Sequence, residues 1–119
     1  MELLKKIGKS FFYSINGLLA AYQKDQSFRL EVWASSLFLV FGYFVWPLRE
    51  IEILFLMLGF CLILISELFN TAFERMLERI HPARHEIIGE GKDIASAAVF
   101  VAILFTLAVA VSIVWARII

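Results

Sequence analysis

The chain is poor in several features that soluble enzymes rely on, and each shortage excludes something. It holds one cysteine, Cys61, in 119 residues, so no disulfide can form within it and no redox compartment is implied. Eleven basic and eleven acidic residues give a formal net charge of zero, and without a basic excess nucleic acid is excluded as a partner. There is no Walker A motif, no protein-kinase signature and no Rossmann glycine fingerprint. The segment Gly89-Glu90-Gly91-Lys92 supplies only a G-x-G-K fragment, which reads as a flexible turn before it reads as a phosphate cradle. The N-terminus lacks a short apolar core followed by a small-residue cleavage site, so no secretory signal is expected. No soluble domain and no internal repeat is visible.

Apolar residues are what the chain has in abundance. At 61% hydrophobic residues and a mean hydropathy of +0.83, it is too apolar for a soluble domain of this size. The expectation is one all-α integral membrane domain over 1–119, with a surface helix over 1–27 and membrane helices over 30–48, 51–80 and 93–117. In the first segment Leu3, Leu4, Ile7, Phe11, Ile15 and Leu18 share one helical side, and Lys5, Lys6, Lys9 and Asn16 the other. Residues 32–48 carry no charge and end at Trp46-Pro47, after which a hairpin around Arg49 and Glu50 turns the chain back. The apolar run 53–66 is short for a span, but its helix is predicted to continue to Ile80. Pro82 then marks a break, 84–91 reads as a connecting loop, and 94–116 is the longest uncharged run. Trp33, Trp46 and Trp115 fit interfacial anchoring.

Charge placement orients these elements. Lys5, Lys6, Lys9, Lys24, Arg29, Arg75, Arg79, Arg84 and Lys92 fall in the N-terminal region or between the second and third spans, and only Arg49 and Arg117 fall on the other side. The positive-inside rule then puts the N-terminus and the polar connection in the cytoplasm. At about 100° per residue, Glu67, Asn70 and Glu74 occupy a narrow arc of one helical face, and Glu78 continues it. Acids at a membrane edge cost roughly 2.5–3.5 kcal/mol each on insertion scales, which makes this stripe a functional hypothesis by default. Asp25, Glu31, Lys92 and Asp93 converge on the same membrane face. Carboxylates with an amide and a lysine suit Mg²⁺ and polyphosphate, because hard cations take oxygen ligands and lysine neutralises phosphate.

Blander readings stand beside this one. The alternative for Glu67 and Glu74 is an interhelical salt bridge or hydrogen bond inside an oligomer, for Glu78 a partner in Arg75 or Arg79, and for His81 and His85 a solvated position. Membrane-edge acids also line ion or proton paths, but the third span offers only Ser96, Thr106 and Ser112 as polar groups for one. A purely structural membrane subunit is the third alternative.

Three segments carry a resemblance. Phe28-Arg29-Leu30-Glu31, the run ELFNTAFE from Glu67 to Glu74, and HEIIGEGKDIASAAV from His85 to Val99 resemble the prokaryotic diacylglycerol kinase family over nearly the whole chain. The resemblance implies a homotrimeric kinase of the bacterial inner membrane that moves the γ-phosphate of ATP to a lipid alcohol, using Mg²⁺, at sites shared between subunits. By position it implies Glu67 as catalytic base with Asn70 orienting the same site, and Asp25 and Glu74 as metal-binding acids beside the ATP phosphates. Lys92 and Asp93 match a nucleotide-contacting pair, and Lys6, Tyr13, Arg84 and His85 lie where the family meets ATP. Phe28, Arg29, Glu31, Ser96 and Trp115, with Glu67, fall in its lipid-substrate region. Two positions depart from the pattern: Asp25 is a methylene shorter than the usual glutamate, and Lys6 stands where arginine is common, which keeps charge but loses bidentate phosphate geometry. The FRLE and GKDIASAAV runs resemble the diacylglycerol-specific members, with undecaprenol, the substrate of other members, as the alternative lipid.

Overall fold

Four helices follow one another in the computed structural model, which describes residues 1–80 and 86–119: α1 Glu2–Lys24, α2 Gln26–Phe44, α3 Glu50–Ile80 and α4 Glu86–Ile118. No strand occurs among the described residues. At 1.5 Å per residue, α3 and α4 are each about 46–50 Å long, and both carry windows apolar enough to cross a membrane. Only 28% of that window in α3 and 22% in α4 is buried within the chain, so neither is the core helix of a soluble fold. The radius of gyration is 17.6 Å, against about 13.5 Å for a globule of this length. The chain cannot cover its own apolar surface. α2, which carries Gln26, Arg29 and Glu31 in its first turns, does not stand with α3 and α4 as a span by length and apolarity.

α3 and α4 form the central antiparallel pair. Their seam closes where Gly59 faces Thr106, with Ile63 of α3 and Val99, Ala102 and Ile113 of α4 buried, while the buried Leu56 faces Gly42 of α2. Small residues let two backbones approach closely in an apolar medium that offers no hydrophobic drive of its own. The hydroxyls on α4 are satisfied locally, Thr106 donating to the Ala102 carbonyl at 2.9 Å and Ser112 to that of Ala108 at 2.8 Å. Both are therefore engaged with backbone, which gives a polar path across the third apolar segment little to work with. α1 meets the rest of the chain through its C-terminal half and leaves Leu3, Leu4, Ile7 and Phe11 exposed along its apolar side.

At the end of the bundle remote from the acidic stripe, Glu52 ties α3 to α4 and to the connection that follows α2. It is buried at 5% exposure, and Arg117 grips it bidentately at 3.1 and 3.2 Å while also donating to the Pro47 carbonyl at 2.8 Å. The Glu52 carboxylate accepts the Arg49 N–H at 2.9 Å, the half of a capping box in which an acid at the third helical position reaches back to the N-cap. Removing one partner of such a pair strands the other. Glu52→Gln should lower the midpoint of thermal unfolding in micelles by several degrees, while turnover below that midpoint stays within about twofold of the parent. A melting curve read beside an activity assay checks both.

Two sequence expectations are corrected. Residues 86–91 belong to α4 and are not a loop: Gly91 lies against Phe73 and Leu77 of α3, where a Cβ would meet the Phe73 ring at 3.6 Å, and this packing overrides the loop signal of two glycines. Glu78 pairs across helices with Lys92 at 3.5 Å, not with Arg75 or Arg79, because the antiparallel register brings the start of α4 beside the end of α3. The G-x-G-K fragment is accordingly helical. His81, Arg84 and His85 lie outside the described residues.

Candidate active site on the third helix

The stripe read from the sequence is buried on one face of α3. Glu67, Asn70 and Thr71 are 3%, 7% and 4% exposed, an unusual density of polar groups for a chain with so small a core. The Asn70 side chain lies beside the Glu67 carboxylate, and Glu31, Asp25 and Glu74 all lie within Coulombic range of it. Asn70 Oδ1 is buried with no hydrogen-bond partner among the described residues, and its amide nitrogen is the group able to donate to a carboxylate. Thr71 Oγ1 is likewise buried and unpartnered, although a threonine within a helix commonly bonds the carbonyl four residues back. Each orphaned atom costs about 1–3 kcal/mol in desolvation, so two side by side imply that something else satisfies them.

Two cavities flank the stripe. One of about 520 Å³ lies between α1 and α3, lined by Gly17, Leu18, Ala21, Leu68 and Thr71, with Arg75 at its edge. The other, about 440 Å³, lies between α3 and α4, lined by Ser66, Phe69, Asn70, Phe73, Gly91 and Ala95. Each orphaned side chain therefore borders a hollow large enough for part of a ligand. Neither Thr71 nor Arg75 is a site candidate in the sequence, and the one signal that marks Thr71 is its place four residues beyond Glu67.

The remaining candidates divide by position. Asp25 sits between α1 and α2 with Oδ1 accepting the Phe28 N–H at 3.0 Å, while Phe28 is buried at 3% and Glu31 is half-buried. An aspartate is among the best N-caps and glutamate is not, which gives the shorter side chain a local reason. Lys92, one-third exposed, and Asp93, exposed, stand near the start of α4. Ser96 lies at the level of Glu67, judged by the facing of Gly91 on Phe73 and of Thr106 on Gly59. Trp115 does not join this group: it lines an apolar hollow with Phe41 and Ile118, roughly 25 Å farther along α4. Lys6 and Tyr13 are exposed on α1, with Lys6 about 28 Å of helix away from Asp25.

No cluster of three or more histidine, cysteine or acidic side chains poised for a metal occurs among the described residues. Magnesium needs less from a protein, since one or two carboxylates plus substrate phosphates complete its shell. The donors here are all hard oxygens, and the orphaned Asn70 Oδ1 adds another beside the acids.

The sequence model of the family described as prokaryotic diacylglycerol kinase matches residues 12–114, which contain every residue of the buried stripe. The chain belongs to that family. It is similar to the diacylglycerol kinase of Haemophilus influenzae, 34% identical over 103 residues covering 87% of this chain and 82% of the relative. The Escherichia coli K12 diacylglycerol kinase is 35% identical over 99 residues, 83% of this chain and 80% of its own. That of Pseudomonas aeruginosa is 35% identical over 101 residues, 84% and 80% of the two chains. The chain is thus an enzyme, a lipid kinase, and a membrane protein built on apolar helices.

Proposed function

We propose that this enzyme transfers the γ-phosphate of ATP to the free hydroxyl of diacylglycerol, yielding phosphatidic acid and ADP, at the cytoplasmic surface of the bacterial inner membrane. The observation that carries the reading is the buried Glu67–Asn70–Thr71 face, with its two orphaned oxygens each bordering a cavity. The names of the relatives point to the same lipid. Glu67 takes the proton of the lipid hydroxyl as that oxygen bonds to the γ-phosphorus, and the bond from phosphorus to the β,γ-bridging oxygen breaks, leaving ADP. Asn70, one turn along the same face of α3, holds the Glu67 carboxylate in place by donating its amide N–H. Lys92 exchanges the Glu78 carboxylate for a nucleotide phosphate, an inexpensive step for a pair this exposed. Asp25 and Glu74 would hold Mg²⁺, which would supply positive charge against the nucleotide phosphates.

In this reading α2 completes three spans, the N-terminus is cytoplasmic, and the enzyme is a homotrimer. The abundance of uncovered apolar side chains on α2, α3 and α4 supports both lipid and neighbouring subunits around them. The nucleotide contacts of Lys6, Tyr13, Asp93, Arg84 and His85 belong to the same proposal, as do the lipid contacts of Phe28, Glu31, Ser96 and Trp115. With Lys6 and Trp115 so far from Glu67 within one chain, a site completed by another subunit accommodates them better than a site within one.

Offering diacylglycerol and undecaprenol in parallel, at equal mole fraction in mixed micelles with Mg-ATP, tests the lipid. Diacylglycerol should be phosphorylated at least tenfold faster. A preference for undecaprenol overturns the substrate while leaving the kinase, and labelling of neither overturns the reading.

A further inference from the structure

The junction between α1 and α2 is one residue long, and the backbone N–H, the carbonyl and one carboxylate oxygen of that residue are engaged. Asp25 closes α1 by donating its N–H to the Ala21 carbonyl at 3.0 Å, and it opens α2 by capping Phe28 N–H at 3.0 Å. Arg29, one turn into α2, reaches backwards. Its Nη1 donates to the Tyr22 carbonyl at 2.8 Å and to the Gln23 carbonyl at 2.9 Å. These are among the last carbonyls of α1, which a helix cannot satisfy internally and which gather the negative end of its dipole. A guanidinium there makes two charge-assisted bonds of good length. The family resemblance gives Arg29 to the lipid, but both hydrogen-bonding contacts it makes go to backbone.

We infer that Arg29 is a positioning residue: it clasps the end of α1 onto α2, fixes the bend at Asp25, and thereby keeps the Asp25 carboxylate directed toward Glu67. The inference rests on the reading of Asp25 as an acid of the Mg-ATP site. α1 is 23 residues long and is held to α2 through a single hinge residue, so a small change of angle at Asp25 moves the far end of α1 by many ångströms. Capping by Asp25 leaves its second oxygen for other work, and the clasp decides where that oxygen points. Lysine, with a compact ammonium on a flexible stem, holds the same carbonyls less rigidly.

Two readouts test this on the full-length protein. Spin labels at Phe12→Cys on α1 and Leu107→Cys on α4, in a Cys61→Ser background diluted with unlabelled protein, report the placement of α1. Arg29→Ala should broaden or shift the distance distribution, with Arg29→Lys between it and the parent. In kinetics, Arg29→Ala should raise the KM for Mg-ATP about tenfold, leave the KM for lipid within twofold, and be partly rescued by Arg29→Lys. An unchanged distance distribution overturns the inference, and so does a KM rise confined to the lipid. Should the parent transfer no phosphate to any lipid, the kinase reading fails on its own, and the spin-label distances still decide whether the clasp exists.

Discussion

Glu67→Gln should reduce phosphoryl transfer by roughly 10²–10⁴-fold, the contribution usual for a well-placed general base. The substitution keeps the shape of the side chain and an oxygen able to accept a hydrogen bond, so the buried face remains packed. It removes the one feature the mechanism asks of this residue, a carboxylate that can accept a proton from the lipid hydroxyl. Binding of Mg-ATP should be retained within a few-fold, as titrated with a fluorescent nucleotide. Glu74→Gln provides the contrast: half-buried and one turn farther along α3, it should weaken Mg-ATP binding by about tenfold while the residual turnover at saturating nucleotide stays measurable. If Glu67→Gln turned over at the parental rate, proton removal would have to be assigned elsewhere. If it lost nucleotide binding and turnover together, Glu67 would belong with the phosphate-binding groups.

Gly59→Ala should destabilise the fold by about 1–3 kcal/mol, the usual penalty for forcing an extra methyl into a packed core. A Cβ at Gly59 would sit 2.5 Å from Thr106 Oγ1, 2.9 Å from its Cγ2 and 3.0 Å from its Cβ. Thr106 has no room to yield. It is fully buried, and its hydroxyl is held by the Ala102 carbonyl. The helices must therefore separate, which displaces Glu67 and Asn70 on α3 relative to Lys92 on α4, so activity should fall with stability. Thr106→Ala removes the two nearest atoms, Oγ1 and Cγ2, leaving only the Cβ at 3.0 Å, and the double variant Gly59→Ala/Thr106→Ala should recover most of the loss. Gly8, inside α1 with open space where a Cβ would stand, provides the control: Gly8→Ala should leave the unfolding midpoint unchanged or raise it slightly, because alanine favours the helix. Failure of the double variant to recover would mean that the seam is tight for reasons other than this contact.

The stripe on α3 was legible because helical periodicity alone puts residues three and four apart on one face, and an acid in an apolar run stands out against its cost. The hairpin before α3 was legible because Pro47 can continue no helix. What escaped were features that depend on distant partners. Glu52 reads as one more charge near a turn until Arg117, 65 residues away, closes on it. Glu78 had local basic neighbours on its own helix, and the partner it takes comes from α4. Gly89 and Gly91 signalled a loop, but Phe73 and Leu77 pack close against Gly91 and the helix runs through. The dual role of Asp25, ending one helix and starting the next, depends on a backbone N–H that no residue pattern displays.

These features converge on a single requirement, that the buried acids of α3 act on a lipid hydroxyl. The direct measurement is the fate of radiolabelled γ-phosphate when the purified protein meets ATP, Mg²⁺ and diacylglycerol in mixed micelles. Label should move into solvent-extractable phosphatidic acid with the parent and stay in ATP with Glu67→Gln. Label that remains in ATP with the parent, or that appears only as inorganic phosphate, would contradict the account.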